Sequence, residues 1–225
     1  MKILIVAATE LEIMPFLEHL DQKAKKLSFF DFEIYGHSIV PLVTGIGGVK
    51  TAFALATFPD MRLVDLVINV GLAGAIDKSI ALGSVVQVEK DKFGDIGVED
   101  ADGSFIDVFQ LGLENADKYP FANGWLINEK NKKHANLPSV SSISYNMVSG
   151  SAPTISSRYE QTDGLIESME GASFAYACRC MDVAYIQLQA ISNYVEPRDR
   201  NSWQINLAVD NLSAALIDYL AGLKG

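Results

Sequence analysis

Apolar residues run unbroken from Ile3 to Ala8, and a second, mostly apolar run spans Leu63 to Val70. Such runs suit strands buried on both faces of a parallel or mixed sheet. Phe30–Tyr35 and Ser38–Val43 alternate around Gly36-His37 and predict a hairpin. Further strands are expected at Ser84–Val88, Ser141–Val148 and Val183–Ile191. Between them lie helical patterns. Thr9 with Glu12 three residues later has the form of a capping box, so a helix should run to Leu20. Others are expected from the glycines at 45–48 to Phe58, at Ile155–Asp163, and from Ser168-Met169-Glu170-Gly171-Ala172 to Cys180. At the end, Asn201–Gln204 has a capping-box look. Ile205, Ala208, Leu212, Ala215, Leu216, Tyr219 and Leu220 then share one helical face. Strands alternating with helices predict an α/β fold. Glu114–Asn136 has weak patterning and is expected to be irregular.

Length and composition narrow this picture. With 225 residues, 49% hydrophobic and 20% charged, the chain is expected to form one globular domain over residues 1–225. A net charge of −10 argues against a nucleic-acid or anionic-membrane partner, which would select a basic face. No window approaches the about 18 apolar residues of a membrane span. The apolar start MKILIVAA is closed by Glu10 and Glu12, too short for a signal peptide, so a cytoplasmic location is expected. Cys178 and Cys180, two apart on a helix, point about 200° away from each other. They read as buried reduced thiols rather than a metal site or disulfide. His19, His37 and His134 have no partner at ligand spacing, and no metal or cofactor is expected.

Chemistry is expected where strands end in polar or glycine-rich loops. Thr44–Lys50 (TGIGGVK) opens a helix, yet Lys50 occupies the place of a third dinucleotide-fingerprint glycine, and the spacing is not that of a Walker loop. Gly71-Leu72-Ala73-Gly74-Ala75 lets backbone approach a ligand closely. Asp91–Asp107 is read as a loop or short hairpin, either functional or simply acidic surface. Gln187–Arg200 (QLQAISNYVEPRDR) ends the last strand, with Asn193 at the first loop position. Each candidate has an ordinary structural reading beside it. Glu12 can be a capping carboxylate, Met169-Glu170 a core methionine and a helix-start acid, and Asn193 a turn cap.

The order of these segments resembles the purine nucleosidase/phosphorylase superfamily, over nearly the whole chain. MKILIVAATELE is similar to that family's first strand and glutamate, and TGIGGVKTAFAL to its GIGKV loop and helix. DLVINVGLAGAIDKSIALGSVVQVE is similar to its NxGxAG…xGDxVV stretch, and SGSAP to its SGDAF loop. SMEGASFA is similar to its MEG/MEA ribose motif, and QAISN sits where the family has RAISD. The hydrolytic branch that includes methylthioadenosine/S-adenosylhomocysteine nucleosidase is the nearest in pattern. Within it, FGDIGVEDADGSF and SNYVEPRDR look like futalosine hydrolase, which releases hypoxanthine from futalosine in menaquinone synthesis.

The resemblance implies a three-layer α/β/α fold with a central mixed sheet, a small-molecule nucleoside substrate and a homo-oligomer. It implies Glu12 as the residue that holds and deprotonates the attacking water, and Glu170 and Met169 as ribose contacts. Ala73, Gly74, Thr154 and Ser192 become substrate contacts. Asn193 stands in place of the aspartate that serves adenine-specific relatives. An amide cannot act as that general acid, but its NH2 can donate to a 6-oxo group and its carbonyl can accept from N7–H. Arg198, with Arg158 and Arg200 nearby, is a candidate partner for the carboxylate that futalosine carries beyond its 5′ carbon. Relatives that use phosphate hold it with arginines near the first glycine loops. Here the first arginine is Arg62, which favours hydrolysis. Leu72 departs from the serine of the nucleosidase branch. The competing readings are an adenine nucleosidase, a purine nucleoside phosphorylase, and a nucleoside-binding sensor without turnover.

Overall fold

The computed structural model describes residues 1–28, 30–129, 136–159 and 163–223. The elements, in chain order, begin with β1 (Lys2–Ala7), α1 (Glu10–Lys23), β2 (Lys25–Lys26), β3 (Phe32–Ile34), β4 (His37–Val43) and α2 (Gly48–Thr57). They continue with β5 (Leu66–Ala75), β6 (Val85–Phe93), β7 (Gly97–Glu99), β8 (Phe105–Asp107), β9 (Leu126–Ile127) and β10 (Ser139–Ser144). The chain then forms α3 (Ala152–Tyr159), β11 (Ile166–Ser168), α4 (Gly171–Cys180), β12 (Tyr185–Tyr194) and α5 (Ile205–Gly222). His134 and the last part of the helix expected at 155–163 fall partly or wholly outside the described residues.

The main sheet is mixed, in the order β11-β10-β6-β12-β5-β1-β4-β3-β2, with β9 joined to β6. β1 is parallel to both β4 and β5, and β5 is parallel to β12. Alternation of β1 explains the layers. Ile3, Ile5 and Ala7 face a cluster with Ile13, Phe16 and Leu20 of α1 and Leu212, Leu216 and Leu220 of α5. Leu4 and Val6 face the opposite cluster, with Leu55 of α2 and Phe174, Ala175 and Cys178 of α4. This is the expected α/β/α arrangement around a mixed sheet.

Several expected boundaries move, for one main reason. β11 pairs with β10 on one side and, antiparallel, with the end of β5 on the other. Strands β5, β12, β6, β10 and β11 therefore close into a ring filled by Ala73, Ala75, Val86, Val88, Val140, Ile166 and Ile191. The closure keeps Gly71–Ala75 in β5 rather than in a loop. It likewise extends β12 through Asn193, after a register shift between Ile191 and Asn193. β6 runs on to Phe93, so Asp91 is a buried strand residue, and only Gly97–Asp107 forms the hairpin. The β3–β4 turn is Tyr35-Gly36, both at positive φ, with His37 already in β4. Asn201 lies in a 3-10 turn, and Gln204 precedes α5 without a side-chain cap. Cys178 is buried but Cys180 is exposed, so only one of the two thiols is a core residue. Among the described residues no helix is long and apolar enough to cross a membrane.

The glycine loop is where α2 and α4 approach most tightly. A β-carbon on Gly48 would lie 2.2 Å from Ser173 Oγ and 3.2 Å from Ser173 Cβ. Gly48→Ala should therefore destabilise the protein by about 1–3 kcal/mol through overpacking. A thermal melt checks this, and adding Ser173→Gly should restore most of the loss; an unchanged melting temperature in Gly48→Ala would refute the close approach.

Candidate active site

The carboxyl ends of β1, β4, β5 and β12 gather the candidate groups. Thr9 precedes α1 in extended conformation, and both its N–H and its hydroxyl donate to Glu12 Oε2, at 2.8 and 2.7 Å. That bond fixes the glutamate at the first turn of α1. Its other oxygen, Oε1, accepts from the backbone N–H of Leu72 at 3.2 Å. Glu12 is 9% exposed. Burial raises its carboxyl above the ordinary range, against the lowering effect of the bonds from Thr9, Leu72 and Ala8. Gly71 makes the room: a β-carbon there would meet Gln189 Oε1 at 3.1 Å and Glu12 Oε1 at 3.5 Å. Capping thus occupies one oxygen of Glu12, and the other is directed to Leu72 N–H and the space above Gly71.

Glu170 stands at the N-cap of α4, and its Oε1 accepts from Gly47 N–H at 2.7 Å. Gly47 adopts φ of 97°, which favours glycine and turns its N–H toward α4. Burial, with a smaller contribution from the negative charge of Glu12, pushes the Glu170 carboxyl up to about 7 against the lowering bond from Gly47. The two carboxylates thus share one electrostatic environment although 158 positions separate them in sequence.

The third group lies where β12 leaves the ring. After the bulge, Asn193 is in register with Gly74 of β5, and Ile191 with Ala73. Ser192 Oγ donates to Asn193 Oδ1 at 2.8 Å, and Asn193 Nδ2 donates to Tyr194 O at 2.9 Å. The amide orientation is thereby set, with one N–H and one lone pair left for a ligand. A β-carbon on Gly74 would sit 3.1 Å from Asn193 Nδ2. Beside this edge, Arg198 N–H donates to Gly150 O at 3.1 Å and ties the 149–154 loop to the loop after β12.

A model of the phosphorylase superfamily matches residues 2–221. The chain belongs to the phosphorylase superfamily. Two curated members resemble it over much of their length. It is 28% identical to futalosine hydrolase of Thermus thermophilus, over 97% of this chain and 95% of that protein. It is 33% identical to futalosine hydrolase of Streptomyces coelicolor, over 78% of this chain and 75% of that protein. In fold it is similar to the methylthioadenosine/S-adenosylhomocysteine nucleosidase of Colwellia psychrerythraea in complex with adenine. That likeness has a TM-score of 0.79 at 21% identity, covering 100% and 96% of the two chains.

Within this superfamily member, the expected residues fall into three groups. Glu12, Met169 and Glu170 lie at the ends of β1 and β11; Ala73, Gly74, Ser192 and Asn193 form the edge between β5 and β12. Thr154 and Arg198 sit apart from both. Thr154 Oγ1 is 2.9 Å from Ser151 Oγ in the first turn of α3, and Arg198 is exposed with its guanidinium 4.8 Å from the Trp203 ring. Arg158 Nη1 donates to Met147 O at 2.7 Å and to Ser149 Oγ at 3.0 Å, which ties this guanidinium to the 147–149 segment. Leu72 turns its side chain into the α1/α5 core, and it is the backbone N–H that reaches Glu12. Among the described residues, no three His, Cys, Asp or Glu side chains are placed to hold a metal ion.

Three polar residues escaped the motif reading. Glu167 of β11, 3% exposed, accepts from Ser149 N–H and Ser149 Oγ, both at 2.7 Å, and from Tyr159 OH. It anchors the 149–154 loop. Gln187 and Gln189, which interrupt an otherwise apolar strand, pair with Asn69 and Gly71 and line the face beneath α4. Their alternation in β12 is the sequence signal that could have found them.

The mutual repulsion of the two carboxylates is directly measurable. In protein labelled with 13C at glutamate side chains, the Glu170 carboxyl should titrate near 7, and Glu12→Gln should move that titration to lower pH. An unshifted titration would mean that the two groups do not interact. Because both carboxyls are raised in the folded state, stability should fall as pH rises from about 4.5 toward 7.

Proposed function

We propose that the protein hydrolyses the N-ribosidic bond of a 6-oxopurine nucleoside, with futalosine as its substrate. Hydrolytic nucleosidase activity of the futalosine hydrolase and methylthioadenosine/S-adenosylhomocysteine nucleosidase type is supported by the superfamily and by the curated relatives. The finer reading is carried by one observation: an amide, Asn193, borders the site that holds the buried carboxylate of Glu12 and the half-buried one of Glu170.

Breaking this bond builds positive charge on the sugar and negative charge on the purine. Glu170, anchored by Gly47 N–H, accepts from the ribose hydroxyls and stabilises the developing cation, and Met169 packs on the sugar. Glu12 orients the attacking water and takes its proton. Burial raises its pKa above the ordinary carboxylate range and so makes it a stronger base than an exposed glutamate. Gln189 Oε1 is buried without a hydrogen-bond partner among the described residues and lies beside the same glycine as Glu12 Oε1. It is the natural acceptor for the second proton of that water. Asn193 offers its free N–H to the 6-oxo group, where it stabilises the negative charge of the departing purine. The purine leaves as its hydrogen-bonded anion and takes its proton from solvent, and the N7–H so formed can be accepted by the free lone pair of the amide. Ala73, Gly74 and Ser192 supply the edge against which the base lies, while Thr154 and Arg198 stand farther out, beyond direct contact with the base.

Phosphorolysis has one observation in its favour. The Lys50 ammonium folds back over the glycine loop, 3.7 Å from where a Gly45 β-carbon would be. A single ammonium on an exposed stem is a weak seat for a phosphate dianion compared with a guanidinium fork. We also infer a homo-oligomer, because Ile46, Val49 and Phe53 are 54%, 81% and 69% exposed in one strip beside the Gly47–Glu170 contact. The substitution Phe53→Asp should then shift the protein to a smaller species in size-exclusion chromatography, and an unchanged elution would remove this strip as the interface.

The substrate reading is tested with futalosine, its 6-amino analogue, methylthioadenosine and inosine, each with and without phosphate. Hypoxanthine should be released from futalosine without phosphate; release of adenine alone would overturn the reading. Glu12→Gln should lower kcat by about 10²–10⁴-fold. Asn193→Asp should reduce futalosine turnover on the order of 10²-fold and favour the 6-amino analogue, since the wrong base leaves buried polar groups unpaired. Equal turnover of futalosine by Asn193→Asp would remove the amide from base recognition.

A further inference from the structure

Asp91 is a carboxylic acid at 0% exposure in β6, and the chemistry above gives it no part. Ser144 Oγ donates to its Oδ1 at 3.1 Å. The same hydroxyl accepts from Ala172 N–H at 2.8 Å and lies 3.0 Å from Ser168 Oγ. The acid is therefore connected, through one serine, to both sides of the Met169-Glu170 pair. Its other oxygen, Oδ2, has no hydrogen-bond partner among the described residues, and neither does Gln187 Oε1. These two acceptors converge on one point. A β-carbon on Gly171 would lie 2.2 Å from Asp91 Oδ2, 2.7 Å from Gln187 Oε1 and 3.0 Å from Ser168 Oγ.

Two buried acceptors near one point are costly unless donors reach both, and the neighbouring unpaired hydroxyl of Ser142 has one O–H and can serve Asp91 alone. One proton removes both defects, because a neutral carboxylic acid carries an O–H donor. The surroundings favour that state. Burial pushes the Asp91 carboxyl up to about 7, although Ser144, Ser142, the Lys92 N–H and Gln187 act in the lowering direction. From α4 it meets only Gly171 and Ala172, from β10 Ser142 and Ser144, and from β11 Ser168. The ionisable side chain facing it from β12 is Tyr185, whose own pKa burial raises, with Arg179 beyond lowering it. Glu170, at the cap of α4, turns its carboxylate toward Gly47 instead.

We propose that Asp91 is a positioning residue, seated under the first turn of α4 as the neutral acid and donating Oδ2–H to Gln187 Oε1. In this way it fixes Ser168–Gly171 and so the placement of Met169 and Glu170. The functional half of this inference rests on Glu170 being the ribose carboxylate; the structural half does not. Ionisation of Asp91 puts a negative charge against Gln187 Oε1 and loosens that seat.

The test is Asp91→Asn, whose amide N–H donates as the neutral acid does but does not titrate. Melting temperatures of wild type and variant are compared from pH 5 to pH 8. The folded acid holds its proton where the unfolded one has lost it, so the wild type loses stability as pH rises and the variant does not lose that part. The variant should gain on the wild type by about 5 °C over this range. The ratio of wild-type to variant KM for the nucleoside should rise about tenfold between pH 6 and pH 8, as the neutral fraction falls. A gap in melting temperature that stays constant or narrows with pH, or an Asp91→Asn protein that does not fold, overturns the proposal. Absence of nucleoside turnover in the wild type would count against the functional reading alone, since the melting comparison does not depend on it.

Discussion

The site depends on two carboxylates kept out of water by backbone N–H groups. Leu72 N–H holds Glu12 and Gly47 N–H holds Glu170. Each bond offsets part of a desolvation cost that would otherwise keep the acid neutral. Each also demands a particular backbone: Gly47 at positive φ, and Gly71 without a side chain where Glu12 and Gln189 both need space. The glycine-rich segments are therefore tied to the acids that lie far from them in sequence. Burial raises both acids above the usual carboxylate range, and the charge of Glu12 adds to the rise at Glu170, which reaches about 7.

The closed ring of β5, β12, β6, β10 and β11 gives this arrangement its geometry. It carries β5 and β12 past the points where their apolar patterns stop, so Gly74 and Asn193 face each other from rigid strands. Polar groups held on strands are placed more precisely than groups on loops. Glu167, buried in β11, secures the loop on the outer side through Ser149 and Tyr159. One short strand thus closes the ring, holds that loop and delivers Met169 and Glu170 to α4.

Much of this was legible in the residues. Ile3–Ala8 reads as a buried strand because both of its faces are covered, and α5 shows its buried face at helical spacing. Thr9 and Glu12 announce the start of α1. What could not be read depends on contacts distant in sequence. The pairing of β11 with β5 has no local signature in three residues, so the ends of β5, β6 and β12 were placed too early. Asp91 looked like the start of an acidic loop, because a charge in a strand pattern argues against burial unless its partners are known. Its hydrogen-bond partner Ser144 and its neighbour Gln187 lie on two other strands. The thiols show the same limit: helical period separates Cys178 from Cys180, but only packing shows that Cys180 is exposed. Arg158 looked free in sequence and is in fact tied to Met147 O, Ser149 and the face of Tyr145.

In the proposed reaction, water activated at Glu12 attacks the sugar of a 6-oxopurine nucleoside. Turnover of futalosine in 18O-labelled water with excess phosphate tests it most directly, with both products analysed by mass. The account predicts unlabelled hypoxanthine and a sugar product carrying one 18O at the anomeric position, with no sugar phosphate. A sugar phosphate, or no release of hypoxanthine while an adenine nucleoside is cleaved, would contradict it.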